Sequence, residues 1–252
     1  MFANLSSKNP MAERLQKWLA GRGYGSRREL EKVIAEGRIE VDGKVAELGL
    51  KVEGDERIRI DGRPIRRGAE DVPQRTLLYN KPPDEICTRS DPQGRRTVFE
   101  SLPKVLDARW ISVGRLDVKT AGLLLVTTDG ELANHLMHPS NEFAREYSVR
   151  ALGELSPEAI QQLKKGVKLD DGLARFMEVE LTAGEGANRS YRVVVREGRN
   201  RIVRRLFEAV GCKVNRLMRT RYGFITLPRN LRPGKFRELT NAEINRLRQD
   251  QT

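Results

Sequence analysis

The sequence predicts an α+β protein of two unequal domains, and three observations predict it. Helical apolar spacing near the N-terminus gives way to short alternating strands; a polar stretch with Pro64, Gly68 and Pro73 then interrupts the chain. Beyond it, strands and short helices alternate without a strict repeat, and their short links and hairpin-like neighbours favour a mixed, largely antiparallel sheet. The expected boundaries are a disordered tail over residues 1–12, a small module over 13–62, a linker over 63–74 and a large domain over 75–250.

Each element has a local reason. Leu15, Trp18 and Leu19 recur at helical spacing until Gly21, Gly23 and Gly25 break the pattern. Ser26 with Glu29 forms a capping box that opens a second helix carrying Leu30, Val33 and Ile34, and Gly37 ends it. Ile39 and Val41 alternate into Asp42-Gly43, a hairpin turn, and Ile58 and Ile60 mark a further strand. In the large domain, strands are expected over 76–79, 110–113, 123–127, 146–151, 176–181, 191–196 and 213–222. Asp129 caps a helix over 130–137, Ser156-Pro157 opens one over 158–165, and Thr240 with Glu243 opens one over 244–248. A helix over 201–210 is ended by Gly211, and Gly184-Glu185-Gly186 reads as a hairpin turn.

Composition narrows the function classes. No apolar run approaches the roughly 18 residues of a membrane span, and the N-terminus lacks a signal-peptide pattern. Cys87 and Cys212 are too far apart in sequence to suggest a disulfide framework or metal spacing, so the reducing cytoplasm is the expected compartment. The net charge of +12 favours a polyanionic partner, nucleic acid first. Residues 189–221 alone carry eleven basic side chains against Glu197 and Glu208, and ten of the eleven are arginine, the residue suited to bidentate phosphate contacts. The module over 13–61 balances eleven basic against eleven acidic residues, so any RNA affinity there must come from a local face holding Arg14, Lys17, Arg27, Arg28 and Lys32.

The strongest candidate for chemistry is Gly114-Arg115-Leu116-Asp117-Val118-Lys119-Thr120-Ala121-Gly122, running into Leu123-Leu124-Leu125-Val126 and Thr127-Thr128-Asp129-Gly130. It sets one carboxylate in a turn beside a strand buried on both faces. From spacing alone, Asp117 is equally well read as a turn residue or a partner of Arg115. The stretch resembles the signature of the pseudouridine synthases that act on ribosomal RNA, the small-subunit and B-type large-subunit group. The resemblance implies that Asp117 is catalytic. It extends to Lys81-Pro82, to Arg145-Glu146-Tyr147, to the stretch Gly198-Arg199-Asn200-Arg201-Ile202-Val203-Arg204-Arg205-Leu206, and to Asn215-Arg216-Leu217-Met218-Arg219. Over the module, Gly25-Ser26-Arg27-Arg28 and Gly37-Arg38-Ile39-Glu40-Val41-Asp42-Gly43 resemble the RNA-binding domain named after the fourth protein of the small ribosomal subunit.

Those resemblances imply a site and a substrate. Tyr147 would stack on the target base, Arg204 would pair with Asp117, with Arg205 as rival one residue on, and Leu217 would pack against the site. Arg115 would fill the space left by an extruded uridine, Lys81-Pro82 would shape the cleft floor, and Lys81, Arg199, Arg201, Arg205 and Arg219 would contact RNA. The expected partner is ribosomal RNA, with Thr127-Thr128-Asp129-Gly130-Glu131-Leu132-Ala133-Asn134 and Glu197-Gly198-Arg199-Asn200-Arg201 favouring the large-subunit branch. A monomer is expected, and neither metal nor organic cofactor is needed, since one carboxylate can start the isomerisation by attack or by proton removal. The rivals are a non-catalytic RNA-binding or ribosome-assembly factor, and a synthase acting on small-subunit or transfer RNA. Glu131, His135 and His138 share a helical spacing but lack a further obvious metal ligand.

Overall fold

The computed structural model describes residues 12–65, 74–185 and 187–250. The chain divides into two compact units, Met1–Gln74 with Lys104–Arg109, and Arg75–Pro103 with Trp110–Thr252.

The first unit contains β1 (Glu13–Arg14), α1 (Leu15–Gly21), α2 (Arg27–Ala35), β2 (Ile39–Val41), β3 (Lys44–Val45), β4 (Lys51–Val52), β5 (Ile58–Ile60) and β6 (Arg63–Pro64). The capping box is present at α2, with Glu29 N donating to Ser26 Oγ at 3.2 Å and Ser26 N donating to Glu29 Oε2 at 2.6 Å. Asp42 and Gly43 both take positive φ, at 50° and 79°, which turns β2 back onto β3. Four strands align as β3-β2-β5-β6, while β1 pairs with β4. Leu15, Trp18, Leu19, Leu30, Ile34, Ile39, Val52 and Ile58 form the core, so the two helices and the strands close over one apolar cluster. Arg63–Pro64 pairs with β5, so this sheet takes in the first two residues of the expected linker. The rest of that linker over 66–73 and the expected tail over 1–11 lie outside the described residues.

The second unit holds a nine-stranded sheet. Its strands are β7 (Thr76–Lys81), β8 (Ile111–Ser112), β9 (Thr120–Thr127), β10 (Arg145–Leu152), β13 (Glu178–Glu185), β14 (Asn188–Val195), β15 (Lys213–Tyr222), β16 (Ile225–Thr226) and β17 (Phe236–Glu238). A separate hairpin is made by β11 (Val167–Leu169) and β12 (Gly172–Ala174). The helices are α3 (Gly130–Met137), α4 (Pro157–Lys165), α5 (Ile202–Ala209) and α6 (Asn241–Gln249). The main order is β13-β14-β10-β15-β9-β7-β17, with β8 on β9 and β16 on β15. Every pairing is antiparallel except β9 with β15, so the sheet is mixed and largely antiparallel. Leu123, Leu124, Leu125 and Val126 are all fully buried in β9, as a strand covered on both faces must be. Among the described residues no helix is long and apolar enough to cross a membrane.

Several boundaries differ from expectation for local reasons. The strand expected over 176–181 begins at Glu178, because Phe176 leaves the ladder to bury its ring against Phe207 at 5.8 Å. The strand expected over 110–113 is reduced to Ile111–Ser112, and β9 begins at Thr120, three residues before the apolar run.

At the parallel seam of β9 and β15 the strands pack against each other closely. Gly122 has φ +99°, and a Cβ there would clash with the Arg219 carbonyl and lie 2.9 Å from the Arg219 nitrogen. Replacing Gly122 by Ala forces both a disfavoured backbone and a steric overlap with main chain. A loss of roughly 3–5 kcal/mol is expected, read as a lower urea midpoint.

Candidate active site

The turn carrying Asp117 enters β9 at that seam. Register then fixes its neighbours: Thr120 lies opposite Leu217, Gly122 opposite Arg219, and across β15 Leu217 faces Val149 while Arg219 faces Tyr147. Leu217 and Arg219 share one face of β15, and Tyr147 shares it from β10, because strand side chains alternate. Asp117, Tyr147, Leu217, Arg219 and Arg115 line one cleft of about 990 Å³. Its wall carries seven arginines, namely Arg115, Arg145, Arg175, Arg196, Arg199, Arg201 and Arg219, against Asp117, Glu142 and Glu197. The cleft is thus a cationic pocket with few carboxylates, suited to a polyanion that inserts a base.

The backbone of the turn is held while its carboxylate is left available. Thr120 N donates to Asp117 O at 2.9 Å, and Lys81 Nζ donates to the carbonyls of Asp117 at 3.3 Å, Thr120 at 2.9 Å, Val118 at 3.4 Å and Pro82 at 2.9 Å. The Asp117 carboxylate itself makes no hydrogen bond or ion pair within the described residues. Gly114, with φ +72°, supplies the conformation that opens the turn.

Lys81 corrects its expected role. It is 0 % exposed, so it cannot reach RNA; it anchors the Asp117 turn from behind the cleft. Burial pushes its ammonium below the ordinary lysine range, opposed by the negative potential of Cys87, Glu85, Asp84 and Asp117. Arg219 is corrected in the same sense. At 2 % exposed, with Nε donating to Leu123 O at 2.7 Å, it meets only what enters the cleft and not an RNA backbone outside it.

The two neighbouring arginines of α5 separate cleanly. Arg204 is buried, with one terminal nitrogen donating to Val214 O at 2.7 Å and the other to Lys119 O at 3.4 Å. Burial lowers its pKa, the charge of Arg201 adds to that, and the attraction of Asp117 opposes it. The expected pairing of Arg204 with Asp117 is therefore not made: among the described residues its guanidinium is taken up by backbone carbonyls, and it does not line the cleft. Arg205 is turned away and grips both oxygens of Asp171, at 2.8 and 2.7 Å. Those hydrogen bonds hold the Asp171 carboxyl down at about 2. Arg199 also reaches Asp171 at 3.0 Å, so the turn between β11 and β12 braces the loop that bears the cleft arginines.

The remaining expected RNA contacts are distributed unevenly. Arg201 is exposed on the cleft wall, while Arg14, Arg27, Arg28 and Lys32 are exposed on the first unit. Lys17 is half-buried and pairs with Glu13 at 2.6 Å. Sequence reasoning missed Arg145, Arg175 and Arg196 as cleft residues. Arg145 spans the wall, donating to Arg196 O at 3.1 Å and to the Tyr222 hydroxyl at 3.3 Å. Its position beside Tyr147 in the same motif was the available signal. Asp129 is structural: it caps α3 through Glu131 N and Leu132 N and takes Arg248 on its other oxygen at 2.7 Å. Among the described residues no group of three or more His, Cys, Asp or Glu side chains is placed to hold a metal.

Both units match known families. Residues 75–209 match the family model described as RNA pseudouridylate synthase, and residues 13–58 match that of the S4 domain. The protein called ribosomal large subunit pseudouridine synthase B in Escherichia coli strain K12 is 55% identical over 243 residues, covering 95% of this chain and 83% of the relative. The protein of the same name in Vibrio cholerae is 54% identical over 241 residues, covering 95% of this chain and 75% of the relative. A solved structure described as a pseudouridylate synthase superposes with a TM-score of 0.65 at 25% identity, covering 93% of this chain and 99% of that one.

Proposed function

The chain belongs to the RNA pseudouridylate synthase family, and on that premise we propose that it converts uridine to pseudouridine at defined positions of large-subunit ribosomal RNA, with Asp117 as the catalytic carboxylate. The observation that carries the assignment of the site is the single cleft lined by Asp117, Tyr147 and Leu217. The large-subunit substrate rests on the relatives that share more than half of their residues with this chain along most of its length.

The reaction is an isomerisation. The bond from ribose carbon 1 to base nitrogen 1 breaks, the base turns, carbon 5 bonds to the sugar, and the proton leaves carbon 5 for nitrogen 1. Atoms and electrons balance without any redox partner. Asp117 starts it, either by attacking the sugar or by taking a sugar proton, and both routes use the free carboxylate that the turn presents. Tyr147, 8 % exposed on the cleft face, offers a ring for the detached base to stack on while it turns. Arg204 steadies the turn and its charge from behind, and Leu217 keeps water from the sugar side. Extruding a uridine from folded RNA costs a few kcal/mol, which the cationic wall offsets through phosphate contacts, with Arg115 filling the vacated position. The reading includes a monomer acting in the cytoplasm, where ribosomes are assembled.

The test is a map of pseudouridine across all ribosomal and transfer RNA in a strain lacking this chain. Loss of a large-subunit site, restored by the intact chain, is the expected result. Loss confined to small-subunit or transfer RNA would reassign the substrate, and an unchanged map would overturn the enzymatic reading.

A further inference from the structure

The reverse of the central sheet, away from the cleft, carries a charge arrangement that catalysis does not use. Arg150 on β10 lies directly opposite Arg216 on β15, and both are exposed. Lys213, also exposed, pairs in register with Leu152 two residues along. Within the described residues none of these three cations makes a side-chain hydrogen bond or ion pair. Like charges directly opposite on an antiparallel pair are destabilising, so the sheet bears a cost at this spot.

On the neighbouring strand β14 and at the far end of β15 the arginines do have carboxylate partners. Arg192 is held by Glu146 at 3.2 Å, Glu178 at 2.7 Å and Glu180 at 2.9 Å. Arg189 pairs with Glu154 at 2.7 Å, and Arg221 with Glu146 at 3.4 Å. Directly across β14 from Arg150 stands Ser190, where a carboxylate would have completed the pattern. The bare patch is therefore specific to the strip between β10 and β15. Its two forked guanidiniums, a strand spacing apart, match a bridging anion far better than they match each other.

We propose that Arg150 and Arg216, with Lys213 beside them, form a second RNA contact that grips a backbone phosphate of the substrate on the face of the sheet opposite the cleft. The inference rests on the reading of the chain as an enzyme of ribosomal RNA. It adds that the substrate wraps past the edge of the sheet, so that two faces of the second unit hold one RNA. A phosphate between the guanidiniums converts their repulsion into paired charge-assisted hydrogen bonds, which explains why the pair is tolerated.

The experiment compares the full-length protein with R150Q/R216Q and R150K/R216K in salt titrations of binding to transcribed large-subunit ribosomal RNA. The glutamine variant is expected to lose about 1 from the magnitude of the slope of log affinity against log salt for each phosphate released. For one contact this amounts to about a fivefold loss at 0.15 M salt, the factor that a slope of 0.9 gives between 1 M and 0.15 M. Its melting temperature should not fall, since a repulsion has been removed, and its turnover at saturating RNA should match the parent. The lysine variant should keep most of the slope. An unchanged slope and affinity in R150Q/R216Q, with the parent binding and converting the same RNA, would overturn the proposal while leaving the enzymatic reading intact. Failure of the parent to convert any RNA would instead remove the reading on which it rests.

Discussion

Asp117→Asn is expected to cut the single-turnover rate of pseudouridine formation by about 10⁴-fold or more while leaving the fold and RNA affinity in place. The magnitude follows from removing a group that the chemistry itself needs, as opposed to one that only binds. The selectivity follows from the turn. Its conformation is fixed by backbone contacts, Thr120 N to Asp117 O and Lys81 Nζ to the same oxygen, and neither involves the carboxylate. The amide of Asn occupies nearly the same volume, so the half-buried site accommodates it without a cavity. Far-ultraviolet circular dichroism and a binding titration on the same preparation check the fold and the affinity. A rate within tenfold of the parent, with folding intact, would remove Asp117 from the chemistry and move the search to the other cleft carboxylates, Glu142 and Glu197.

Legibility in the sequence tracked the kind of partner a residue has. The helices of both units were readable because their signals are local: Ser26 with Glu29, Asp129, Ser156 before Pro157, and Thr240 with Glu243 all cap helices where expected. The mixed sheet was readable from strand patterning, and motif order singled out Asp117, Tyr147 and Leu217, which the fold brings to one cleft. What was hidden depended on tertiary contact. The hairpin of β11 and β12 escaped because its strands are three residues long, although Asp171-Gly172 is a hairpin signal in its own right. Strand β17 has one aromatic in three residues and sits at the sheet edge, where alternation gives no pattern to read. Arg204 and Arg205 are indistinguishable in sequence, and only the presence of Asp171 on a distant turn separates them.

Lys81→Met should lower both stability and turnover, and the coupling of the two losses is the point of the experiment. The resemblance puts the Lys81 of Tyr-Asn-Lys-Pro-Pro at the cleft floor and in contact with RNA, but nothing in the sequence reveals that its partners are backbone carbonyls. In the fold its ammonium has no carboxylate within ion-pair distance among the described residues, and carbonyl dipoles of the Asp117 turn stand in for water. Methionine fills similar volume but donates nothing, leaving the buried Thr120 carbonyl and the part-buried Pro82 carbonyl without their donor. A loss of about 2–4 kcal/mol in urea unfolding is expected, net of the desolvation that the buried charge no longer incurs. The turn is also released from its anchor, and a shift of about 1 Å in a reacting group costs on the order of 10²-fold in rate. The loss should therefore fall on the chemical step measured at saturating RNA, well below the midpoint of unfolding, with affinity unchanged because Lys81 touches no solvent. Arginine should not rescue it, since a forked guanidinium is too wide for a pocket shaped around one nitrogen. A variant that binds RNA more weakly yet turns over at the parental rate would return Lys81 to the RNA-contacting role and remove it from the support of Asp117.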